Sequence, residues 1–172
     1  MRTPGRLSDS VVSMLALLAV LVQAVPNSAK LSSAEIWFDA RASVADFQGR
    51  TAIATGTLDW VEVRWADIDT KNGTRNRHML KTVDADHFPL IRFDVTGLRS
   101  GADSLVGRLS LHGVTRDVVW PVSVRSIADS VTLAADFPVD MRDYGIKPPV
   151  KFVIARMGPV VQVHVRLTFV KT

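Results

Sequence analysis

Cysteine is missing from all 172 residues. That excludes disulfides, thiolate nucleophiles, thiolate metal ligands and lipid attachment at a cysteine, and leaves packing and hydrogen bonding to hold the fold. Histidine is scarce: the chain has four, His78, His87, His112 and His164. No pair of them has the HxH or HExxH spacing that sets two imidazoles on one metal. There is no glycine-rich phosphate loop and no nucleophile elbow. Charge of one sign is not concentrated either, with 21 Lys and Arg against 17 Asp and Glu and a net charge of +4. No dense basic stripe forms and no aromatics are interleaved with the cations, which argues against nucleic acid as a partner. Repeats, low-complexity tracts and linkers are absent, so the chain reads as one domain.

Long apolar runs are also lacking, with one exception at the N-terminus. Val11 to Val25, VVSMLALLAVLVQAV, follows Arg2 and Arg6 and is closed by Pro26 and Asn27. A short basic stretch, an apolar core and small residues at Ala24 and Ala29 are the layout of a secretory signal peptide over residues 1–29, cleaved after Ala24 or Ala29. The run is too short to span a bilayer comfortably. The expected product is a folded domain over 30–172, periplasmic in a two-membrane bacterium or secreted from another cell type.

What remains is 47% hydrophobic and 22% charged over the whole chain, ample for a core, and it alternates with period two. Ile36, Phe38 and Ala40 oppose Glu35, Asp39 and Arg41. Val61, Val63 and Trp65 oppose Glu62 and Arg64. Ile91, Phe93 and Val95 alternate with Arg92 and Asp94, and Leu105, Leu109 and Leu111 with Arg108 and Ser110. Val118, Trp120, Val122 and Val124 follow, then Val131, Leu133, Ala135 and Phe137, and finally Val161, Val163, Val165, Leu167 and Phe169. Such alternation builds sheets with one dry and one wet face. Seven or eight such strands predict an all-β fold, an eight-stranded antiparallel barrel or sandwich with one or two short helices.

One segment has helical character. NGTRNRHMLK, residues 72–81, offers Asn72 or Thr74 as an N-cap before good helix formers. Residues 144–159, with Pro148, Pro149 and Pro159, read as a loop or a short helix. Gly113 supplies the positive φ for a tight hairpin in GRLSLHGVTRDVVWPV, and parity puts the neighbouring His112 on the outer face as a structural or solvated residue. Arg142 and Asp143 are adjacent, so a strand would send them to opposite faces, and they are expected to hold a loop rather than act together.

Four stretches in order resemble the YceI-like family of exported, polyisoprenoid-binding proteins. They are DIDTKNGTRNRHMLK (residues 67–81), DADHFPLIRFDVTGL (84–98), the GRLSLHGVTRDVVWPV hairpin (107–122) and DFPVDMRDYGI (136–146). The resemblance implies an extended lipocalin-like barrel that encloses a long isoprenoid or similar amphiphile, without catalysis and without a cofactor. Ala40-Arg41-Ala42-Ser43 departs from the family's first strand, where many members carry a histidine-serine pair.

On this reading the ligand-binding residues are those of the dry face. They include Phe38, Val63 and Trp65; Ile91, Phe93, Leu109 and Leu111; Trp120, Val122, Leu133 and Phe137; and Val163 with Val165. Met79 turns inward from the helix and Tyr144, the single tyrosine, lines the mouth. Arg75, Arg77, His78 and Lys81 form a one-signed basic cluster, read first as a solvated loop and, where the helix lies over the mouth, as a site for an anionic headgroup such as a phosphate. The periodicity alone favours a packed core without ligand, since most apolar stripes are core; the resemblance reverses that preference. A third reading is an enzyme acting on an isoprenoid lipid through His78, Asp84 or Asp86. Transient membrane contact and a homodimer stay open.

Overall fold

The structure is a computed structural model and describes residues 29–99, 103–148, 150–151 and 155–171. The signal segment, apart from Ala29, lies outside the described residues. The elements are β1 (Lys30–Ala42), β2 (Phe47–Thr51), β3 (Thr55–Thr57), β4 (Trp60–Arg64), a 3₁₀ turn at Trp65–Asp67, and α1 (Gly73–Thr82). After α1 come β5 (Leu90–Leu98), β6 (Ser104–Leu111), β7 (Val114–Pro121), β8 (Ser123–Ile127), β9 (Ser130–Asp140), a 3₁₀ turn at Met141–Tyr144, β10 (Val150–Lys151) and β11 (Ala155–Val170).

The strands form one curled antiparallel sheet in the order β7-β6-β5-β4-β3-β1-β11-β9-β8, with β2 added to β1 and β10 to β11. The expected closed eight-stranded barrel is therefore corrected to a half-barrel of eleven strands. The physical reason lies at Val122. The run Val118–Val124 looks like one strand in the sequence, but it breaks there. Its first part pairs with β6 and its second with β9. At the break the Val122 amide leaves the ladder and donates to the Asp103 carbonyl at 2.8 Å.

Two strands had no legible signal. β2 and β3 are five and three residues long, too short for alternation to show. The stretch 144–159, expected as loop or helix, instead contains β10 and the start of β11.

The helix forms where the sequence places it, capped by Asn72, whose Oδ1 accepts from the Arg75 amide at 2.9 Å. The β6–β7 hairpin turns on two residues, His112 (φ 52) and Gly113 (φ 74). Positive φ at both central positions matches the twist of the flanking strands. His112 is structural: its Nδ1 lies 3.0 Å from the Tyr144 carbonyl, tying the hairpin tip to the second 3₁₀ turn. Arg142 likewise holds its own turn, through Asp140 at 2.6 Å.

The dry face closes on itself as one large apolar cluster, with a smaller one of Ala29, Val131, Leu167 and Phe169 beside the start of β1. Among the described residues no helix is long and apolar enough to cross a membrane.

Strand β6 approaches β5 very closely at Gly107. A Cβ there would sit 2.3 Å from the Phe93 ring and 2.5 Å from the Asp94 carbonyl oxygen, and the carbonyl belongs to the ladder and cannot swing away. Gly107→Ala is expected to destabilise by about 1–3 kcal/mol. Gly97→Ala, with nothing within 4 Å, should stay within about 0.5 kcal/mol. Urea midpoints of the two variants check this; equal midpoints would refute it.

Candidate functional site

Pleating sends alternate side chains of each long strand into the curl. They enclose a cavity of about 210 Å³, below the roughly 300–1,000 Å³ of pockets that bury a drug-sized ligand. The wall is almost wholly apolar. Of the polar lining side chains, Thr51 is already occupied, its Oγ1 accepting from the Ile53 amide at 3.0 Å.

An aromatic row crosses the cavity. Phe93 of β5 stacks on Trp120 of β7 at 5.2 Å between centroids, and Trp120 on Phe137 of β9 at 3.6 Å and 8°. The second contact spans the gap where β7 and β9 approach without a backbone ladder. Phe38 meets Phe47 edge-on at 6.2 Å.

Most of the dry-face residues read from the sequence meet at this cavity. Phe38, Val63, Trp65, Ile91, Phe93, Leu109 and Leu111 line it, as do Trp120, Leu133, Phe137, Val163 and Val165. Three do not border it. Met79 is half-buried against the core from α1, Val122 is buried at the β7–β8 bend, and Tyr144 is buried in its 3₁₀ turn. Burial pushes the Tyr144 hydroxyl above its ordinary pKa. Further lining residues share the parity already noted, among them Ile36, Val61, Val95, Leu105 and Leu167. Others, including Ile68, Val83, Met141 and Ile146, come from turns and the helix end, where no period marks them.

None of Arg75, Arg77, His78 and Lys81 borders the cavity. The Arg75 guanidinium lies over the Phe47 ring at 4.6 Å and donates to the Thr70 carbonyl at 3.1 Å. Arg77 reaches Thr74 Oγ1 at 3.3 Å, and His78 and Lys81 are exposed. Asp84 holds His87 at 2.8 Å, and this partner raises the His87 pKa. No group of three or more metal-ligating side chains occurs among the described residues.

The wet face behind the cavity carries a cross-strand row. Trp37, His164 and Asp136 are in register across β1, β11 and β9. The Trp37 and His164 rings stack at 4.8 Å and 10°. His164 lies between two carboxylates, Asp136 at 2.6 Å and Asp39 at 3.0 Å. Arg166 donates to both oxygens of Asp136 at 3.0 Å, and Arg50 and Arg166 each sit 5.4 Å from the Trp37 centroid. Hydrogen bonding from Arg166, then from His164, holds the Asp136 carboxyl below the usual carboxylate range against its partial desolvation.

The sign follows from linkage. A depressed folded-state pKa stabilises above the unfolded value near pH 4 and is lost as pH falls through the folded value. Asp136→Asn is therefore expected to lower stability at neutral pH and to flatten its decline below about pH 4. Urea midpoints between pH 2.5 and 7 measure this, and parallel curves for variant and parent would refute it.

The model of the YceI-like domain matches residues 27–169. Among solved structures, a polyisoprenoid binding domain from Saccharophagus degradans, implicated in plant cell wall breakdown, has a TM-score of 0.69 and 13% identity. That match covers 84% of this chain and 99% of that one. Burkholderia cenocepacia BcnA gives a TM-score of 0.63 at 15% identity, covering 78% and 95%. At these identities the likeness is one of fold. No curated protein matches the chain significantly in sequence.

Proposed function

The chain belongs to the YceI-like domain family, and from that premise we propose that it is an exported binding protein that holds an isoprenoid-like or fatty amphiphile in its apolar curl. It is a binding domain and not an enzyme. The observation that carries the ligand reading is the cavity itself: a nearly all-apolar void inside the curled sheet. Interiors are normally close-packed, and a void of this character is a place for hydrocarbon. The solved polyisoprenoid binding domain of the same fold supports the same ligand class. Each buried methylene contributes roughly 0.8 kcal/mol, before the costs of association. A long chain exceeds the void, so loading spreads the wall, and the unladdered contact between β7 and β9 is the least costly place to do so.

Export is part of the proposal. Ala29 is 1% exposed and packs with Leu167 and Phe169. Cleavage after Ala29 would strip a core residue, so the reading favours cleavage after Ala24, leaving Val25 as the first residue. The N-terminal sequence of the exported protein checks this; a start at Lys30 would refute it.

Native mass spectrometry of protein purified without detergent tests the ligand. An added mass that leaves with organic solvent and reads as an isoprenoid or fatty chain is expected. Bare protein that takes up neither class when offered would move the weight to a packed structural core. Val163→Phe, which fills the cavity from β11, should cut uptake at least tenfold at a stability cost of about 1–3 kcal/mol.

A headgroup role for the basic helix is a further part of this reading. Changing Arg75, Arg77 and Lys81 together to Gln should weaken a phosphorylated isoprenoid more than its alcohol. Equal losses for the two would remove these cations from the site.

A further inference from the structure

The inward-facing side chains of β1, β11 and β9 stand in register as rungs, and the rungs show where the cavity ends. All three side chains of Phe38–Val163–Phe137 line it, and so do all three of Ile36–Val165–Ala135. One rung on, Leu167 and Leu133 line it and Ala34 does not. In the last rung, Leu31–Phe169–Val131, Phe169 alone borders it. Burial changes at the same place. Val163 and Val165, inward-facing on a central strand, are half-buried, whereas Leu167 is 5% and Phe169 1% exposed. The void therefore stops at Phe169, the largest fully buried side chain among the described residues.

Phe169 packs with Ala29, Val131 and Leu167, and Leu31, Leu58 and Val61 close in around them. Here β11 pairs with β9 without a register shift, and Leu31 of β1 pairs with Phe169 from the other side. Backbone ladders hold this end on both flanks, unlike the approach of β7 to β9. Every side chain in the cluster is apolar, so an oxygen driven against it is buried without a partner. What stops here is the hydrocarbon end of a bound chain.

We propose that Phe169 is the floor of the site and sets the length of chain that it accepts: the terminal methyl of the bound molecule stops against the Phe169 ring. This rests on the reading of the cavity as an amphiphile site and deepens it. Methylenes added to a chain that falls short of the floor each find apolar wall. Methylenes added beyond it overpack the floor or spread the seam, and their gain is lost. Affinity climbs with chain length and then stops climbing, and Phe169 decides where.

The test measures the affinities of straight-chain fatty acids from octanoate to stearate, delivered from cyclodextrin, for the parent protein, Phe169→Ala, Phe169→Leu and Val163→Ala. In the parent each added methylene should tighten binding about fourfold up to a break, beyond which it adds nothing. Phe169→Ala should move the break about two to four carbons longer. The milder Phe169→Leu should move it the same way by less, so the test stands even if the alanine variant folds poorly. Val163→Ala widens the middle of the cavity and should leave the break in place. A parent without a break, a break unmoved in both Phe169 variants, or one moved equally by Val163→Ala overturns the floor and leaves the amphiphile site intact. Binding of no chain at any length overturns the site and this inference with it.

Discussion

Backbone hydrogen bonding builds this sheet but does not close it: β7 pairs only with β6, and β8 only with β9. Beyond Ala134 the free edge of β9 has no ladder partner, and β7 approaches it through side chains. The stack of Trp120 on Phe137 at 3.6 Å bridges that approach. Aromatic pairs of this kind contribute about 0.5–1.5 kcal/mol beyond the area they bury, modest against the cooperative ladders on either side. The bend at Val122 is the second half of the same device. It lets one continuous stretch of chain leave β6 and join β9, so the two ends of the sheet are tethered by the chain while the seam between them stays unladdered. The curl and its interior void follow from that arrangement.

The two faces of the central strands divide the labour. Inside, β1, β11 and β9 present Phe38, Val163 and Phe137 to the void. Outside, the same three strands are crossed by Trp37, His164, Asp136, Asp39 and Arg166 in a row of ring stacking and charged hydrogen bonds. Cross-strand pairs are the unit of sheet stabilisation, and here they tie β1, β11 and β9 together. In a chain without cysteine, no covalent staple does this work.

Much of this protein was determined by the sequence itself. Period two puts Phe38, Phe93, Leu109, Trp120 and Val165 on the dry face whatever they pack against, because successive Cβ atoms of a strand alternate in direction. Asn72 caps α1 and Gly113 turns the β6–β7 hairpin through interactions within a few residues, and both were legible. The tertiary structure decided the rest. Whether Val118–Val124 is one strand or two depends on which neighbours its halves find, and local pattern holds no record of that. Ile68, Val83 and Ile146 reach the cavity from turns, where no period marks an inward direction. Arg75 lies over the Phe47 ring, 28 residues earlier in the chain, and its place in a basic run did not reveal that partner. Nor does any spacing show that the Trp65 indole, one of four, is buried without an acceptor, since a missing partner is a property of the assembled structure.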